Sequence, residues 1–105
     1  MKLNLTPSLV KAVELSTAHI TLADSELLAR MADEYAQMHV PPVVMKHECG
    51  YVIAIGSLTC KLLIKGGGSS EFSAILNACD KSGDIMYLCF DRDAQRQDDL
   101  PDFNW

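Results

Sequence analysis

Hydrophobic and polar positions change their period several times along this chain, and each change marks an element. Leu9 to Thr17 reads LVKAVELST, with Val13 and Leu15 two apart on one face, which predicts a first strand. Thr21 and Asp24 then stand three apart, resembling a capping box with Asp in place of Glu. Leu27, Leu28, Met31, Tyr35 and Met38 follow along one helical stripe, and Glu26 with Arg30 forms an i,i+4 pair on the outer side. His39-Val40-Pro41-Pro42 ends this helix, because proline cannot continue it.

VVMKHECGYVIAIG, from Val43, predicts two strands around a turn at Glu48-Cys49-Gly50. Gly56-Ser57 has the form of a two-residue hairpin turn. Beyond it Leu58, Cys60, Leu62 and Ile64 alternate with Thr59, Lys61 and Lys65, so residues 58–65 are expected to form a further strand. Gly66-Gly67-Gly68 breaks that run. A second helix starts near Ser69 or Ser70, sets Phe72, Ile75, Leu76 and Cys79 on one face, and stops at Ser82-Gly83. Ile85 to Phe90 is apolar almost throughout, as a strand covered on both faces or lying at an interface would be.

The expected fold is a single α+β domain over residues 1–105, a two-layer sandwich of order β-α-β-β-β-α-β with the C-terminal tail packed back on the sheet. Were residues 58–65 a loop, the order would be β-α-β-β-α-β, the ferredoxin-like pattern. The difference bears on function. Each connected element reverses the chain, so with the extra strand the first and last strands run parallel, and His19 and Asp91 leave the same edge of the sheet. Without it they lie at opposite ends.

Composition narrows the class. A net charge of −5 is mild, gives no basic patch for unspecific nucleic-acid binding, and is too sparse for a nucleic-acid mimic. Direct nucleic-acid binding is therefore not expected. MKLNLTPSLV lacks the apolar run of a signal peptide, and no stretch reaches the roughly 20 apolar residues of a membrane span, so the protein is expected in the cytoplasm. Cys49, Cys60, Cys79 and Cys89 form no Cys-x-x-Cys pair and no zinc spacing. They read as reduced thiols, most of them buried. His47-Glu48-Cys49 offers two metal ligands but fits a hairpin turn better. No metal or cofactor is expected.

Three segments carry chemistry. STAHIT, Ser16 to Thr21, sets the hydroxyls of Thr17 and Thr21 and the imidazole of His19 at a helix start, able to hold an anion or an acidic side chain. Its plainer reading is a capped helix with a surface histidine. DRD leaves the last strand as Asp91, Arg92 and Asp93, a position suited to phosphate or magnesium chemistry, or simply a solvated strand end. KGGGSS lacks the order of a phosphate-binding loop and reads as a flexible connection. The tail then raises its own question, because Leu100, Phe103 and Trp105 return after a charged stretch. Large aromatics are costly in water, so the tail is expected to dock on the body; the rival reading makes Trp105 an anchor for a partner.

These residues resemble domain-of-unknown-function family 5983, small proteins carried by bacterial plasmids, prophages and genomic islands. The resemblance rests on STAHIT, on Gly50-Tyr51, on Ser69-Ser-Glu-Phe72 and most specifically on Leu88, Asp91 and Asp93 followed by Leu-Pro-x-Phe-x-Trp at Leu100 to Trp105. Ala94 stands where the family pattern often has Gly. The resemblance implies a setting among genes that oppose host restriction or form toxin–antitoxin pairs. The leading expectation is thus a non-enzymatic interaction protein of a mobile element that inhibits a host defence complex, of the anti-restriction or anti-CRISPR type. An antitoxin or regulator that binds a cognate toxin, and a small enzyme or nucleotide binder using His19 with Asp91 and Asp93, are the alternatives. The binding surface is placed at Thr17, His19, Thr21, Asp91, Arg92, Asp93 and Trp105.

Overall fold

A mixed sheet of order β1-β4-β3-β2 organises the chain: β1 (Lys11–Ser16), β2 (Val44–His47), β3 (Gly50–Ala54) and β4 (Ile85–Asp91). The computed structural model describes residues 9–105; the reading of the first residues as no signal peptide falls mostly outside that range. β1 runs parallel to β4, and the other two pairs are antiparallel. Helices α1 (Leu22–Ala36), α2 (Ser57–Lys65) and α3 (Ser70–Ser82) share one core with one face of this sheet, giving the expected two-layer α+β arrangement. Leu15, Val44, Tyr51, Ile53, Leu88 and Phe90 supply the sheet's side of the core. Phe72 of α3 meets Phe90 edge to face at 5.9 Å, at the centre of the layer contact.

Residues 58–65 correct the expected element order. They form α2, not a strand, and the structure has neither the five-strand order nor the ferredoxin-like one. The alternating residues Leu58, Leu62 and Ile64 are the exposed ones, whereas Thr59, Cys60 and Leu63 face the core at helical spacing. β3 is already paired on both sides, by β2 and β4, so the next segment has no edge to join there. Gly56 is accordingly not a hairpin turn; it precedes the first turn of α2, and its carbonyl accepts the Cys60 amide. A helix reverses the chain as a strand does. The parity argument therefore holds, and Ser16 stands opposite Asp91 at the same end of parallel neighbours.

Local chemistry sets the other boundaries. The capping box of α1 is complete: the Thr21 hydroxyl accepts the Asp24 amide, and the Asp24 carboxylate accepts the Thr21 amide. Asp24 also accepts the amide and hydroxyl of Ser69, at 2.8 and 2.6 Å, while the Ser69 hydroxyl caps α3 at Phe72. One buried carboxylate thus ties two helix starts together. Burial works to raise its pKa, but the hydrogen bonds from Ser69 and Thr21 outweigh it and hold the carboxyl below the usual range. α3 ends at Gly83, whose φ of 79° is left-handed. At the β2–β3 hairpin, Gly50 passes so close to β4 that a Cβ would overlap the Phe90 carbonyl.

Candidate functional site at the strand ends and sheet edge

The parallel pair β1 and β4 ends in two short exits, and the C-terminal tail folds back over them. After β1 comes a single turn of 3-10 helix, Thr17–His19, capped by the Ser16 hydroxyl accepting from Ala18. After β4 the Asp91 carboxylate accepts the amide of Asp93, turning the chain out of the sheet. The tail returns to the β1–α1 junction. The Phe103 amide donates to the Ala18 carbonyl at 2.7 Å, and the Trp105 indole N–H donates to the Ile20 carbonyl at 2.8 Å.

His19 is the centre of this closure and is fully buried. Its Nε2 accepts the main-chain N–H of Gln97 at 2.9 Å, so that nitrogen holds the lone pair. Nδ1 therefore carries the proton and donates to the Pro101 carbonyl at 2.8 Å. The Asp102 carboxylate stands 3.5 Å from the same nitrogen and also pairs with Arg96. Both ring nitrogens are engaged by the chain's own tail. A surface histidine at a helix start is not what the fold builds.

The seven predicted binding residues divide into three groups. Thr17, Arg92 and Trp105 converge, lining two shallow clefts of about 200 and 210 Å³ at the strand ends. Arg96 and Asn104 join them in one cleft, Lys46 and His47 in the other. His19 and Thr21 lie beneath, one clamping the tail and the other capping α1. Asp91 and Asp93 gather with Cys49, their ligand-type atoms within 4.8 Å of one another. The turn at Asp91 and the Arg92 amide bound to the Cys49 carbonyl account for that grouping without an ion.

Trp105 departs from the expected docking. Its indole N–H is bound, but 51% of the residue remains exposed. What the tail packs against the core is Leu100, with the exposed Pro101 beside it and Phe103 half-buried. Leu100 and Pro101 help line a groove of about 550 Å³ that the sequence reading missed. Val13 and Leu15 of β1 form one wall; Ala74, Ile75, Ala78 and Cys79 of α3 form the other. The lining is almost wholly carbon. Among the described residues β1 is the last strand of the sheet, and the groove lies beside it. The sequence did hold a signal: Ala74 and Ala78, small residues one turn apart, leave the flank of α3 low enough for the groove to stay open.

The thiols sort with this geometry. Cys60 and Cys79 are buried, and burial raises both above the ordinary thiol value, Asp80 adding to the effect at Cys60 and Cys60 at Cys79. Cys89 is half-buried on the sheet face opposite the helices, standing opposite Glu14 of β1. Partial burial and Glu14 push its pKa up as well. Among the described residues no helix is long and apolar enough to cross a membrane.

No curated protein and no solved structure matches the chain. The model of a family of unknown function, the DUF5983 C-terminal domain, matches residues 12–105, and the chain belongs to that family.

Proposed function

We propose that this protein is a non-enzymatic binding module of the cytoplasm that acts by occupying a protein surface. The observation that carries this reading is the open, carbon-lined groove between β1 and α3. An apolar concavity of this size left in water is a characteristic mark of a binding surface. His19 supports the same reading from the chemical side. Both its nitrogens are committed to main-chain partners, so the side chain best suited to acid–base work at the strand ends is engaged in holding the tail. The setting implied by the family resemblance, the cargo of plasmids and prophages, makes a host defence complex the partner of choice, with the protein as its inhibitor.

The test is stoichiometric. Titrated against its captured partner, the protein acts in proportion to complex formed, saturates near one copy per target, and needs no added metal or cofactor. Full effect at strongly substoichiometric amounts, lost on His19→Ala or Asp93→Ala, contradicts the proposal and assigns a catalytic role instead.

A further inference from the structure

Two features of different kind meet along β1. It is the edge strand of the sheet, so among the described residues its outer row of main-chain N–H and C=O groups faces no neighbouring strand. Natural edges are commonly blunted by lysines, prolines or bulges within the strand. Here the irregularity lies at Lys11/Ala12, and Lys11 is already paired with Asp84; Leu15 and Ser16 are buried, which leaves Ala12 to Glu14 as the accessible, regular part of the edge. Directly beside this edge lies the apolar groove, reached from the helix-facing side of β1 through Val13 and Leu15.

An extended segment added next to β1 would alternate its side chains between two different environments. Those turned toward α3 would enter the groove against Ala74, Ile75 and Ala78. Those turned the other way would lie beside Ala12 and Glu14, on the face that pairs with Tyr87 and Cys89. Glu71 lines the groove, and the exposed Glu14 stands on the opposite face of β1. A segment of alternating apolar and basic residues satisfies both environments at once, because opposite charges across neighbouring strands attract.

Resting on the protein-binding reading above, we infer that β1 accepts a strand from the partner protein, about four residues of it paired, with apolar side chains facing α3 and lysine or arginine facing Glu14. The stretch from Lys11 to Glu14 spans about 13 Å, which sets that length. His19 acts here as a positioning residue, since its bond to the Pro101 carbonyl holds a residue of the groove's lining in place.

The probe is a synthetic octapeptide of alternating valine and lysine, with a scrambled peptide of the same composition and one carrying glutamate for lysine as comparisons. The readout is amide hydrogen exchange and NMR shifts at residues 11–16. The alternating basic peptide is expected to slow exchange in β1 and shift Val13 and Leu15, in a salt-sensitive manner. Ala78→Lys, at an exposed helical position, is expected to weaken it at least tenfold with the fold intact. Glu14→Lys is expected to weaken it similarly and to restore binding of the glutamate peptide. Equal binding of all three peptides, no protection of β1, or protection that appears with protein concentration alone, marking a second copy as the occupant, would overturn the inference. The peptide measurement is independent of the partner's identity, and the stoichiometry measurement is independent of β1, so the two readings fail separately. A captured partner that remains bound to the Ala78→Lys protein refutes the strand and leaves the binding module standing.

Discussion

His19 Nδ1 lies 2.8 Å from the carbonyl oxygen of Pro101, 82 residues further along the chain, and this contact joins the first helix start to the tail residues that line the groove. Replacing His19 with Ala leaves the Pro101 carbonyl and the Gln97 amide without their partner and opens a cavity under the tail. The expected cost is roughly 2 kcal/mol or more. In a domain of this size that lowers the melting temperature by about 10 °C. Calorimetry measures it, and the Trp105 emission maximum should move to the red as the tail lifts. An unchanged melting temperature would contradict the clamp.

Deleting residues 100–105 removes the clamp's other half. Leu100 no longer packs against the core, and one partly buried leucine is worth about 1–2 kcal/mol. The shortened protein should melt earlier and bind hydrophobic dyes. Trp105 in the intact protein should be quenched by iodide at an intermediate rate, since it is bonded through its N–H and half-exposed. Complete protection, or quenching as fast as free tryptophan, contradicts the geometry.

Asp24 should govern part of the acid stability. Its folded pKa lies below the usual carboxylate range, so the stability it contributes is complete above its unfolded value of about 3.9 and is lost as pH falls through the folded value. Asp24→Asn disrupts two helix starts and is expected to cost about 1–3 kcal/mol at neutral pH. It should also flatten the decline of stability below pH 4. A variant with wild-type acid sensitivity would remove this assignment.

The regular elements were legible where periodicity and caps agreed. Thr21 with Asp24 and Ser69 with Phe72 marked both helix starts, because capping is encoded by neighbours three residues apart. Residues 58–65 misled because Leu58, Cys60, Leu62 and Ile64 carry period two while burial follows Thr59, Cys60 and Leu63; tertiary packing chose the face. At the site, Trp105 is brought in by the tail, and the nearness of Thr17 to Arg92 followed from parallel end strands. The bonds of His19 to Gln97 and Pro101 did not, because no local pattern reports a contact over about 80 residues. The groove was hidden for the same reason. Its walls come from β1, α3 and the tail, and each reads alone as ordinary core.

The thiols offer an independent check on the layers. Cys60 and Cys79 should react with iodoacetamide only on unfolding, whereas Cys49 and Cys89, both half-buried, should react faster in the native protein. Fast native labelling of Cys79 would contradict the packing of α3 on the sheet.

The central claim is that the groove beside β1 is where a partner is held, and native mass spectrometry of the purified complex tests it most directly. The account predicts a complex with one copy of this chain per target site that forms with the wild-type protein and with a surface control such as Lys61→Ala. It predicts that Ala78→Lys and Ala74→Arg, folded by circular dichroism, form none. A complex of the same stoichiometry with all four proteins would contradict it.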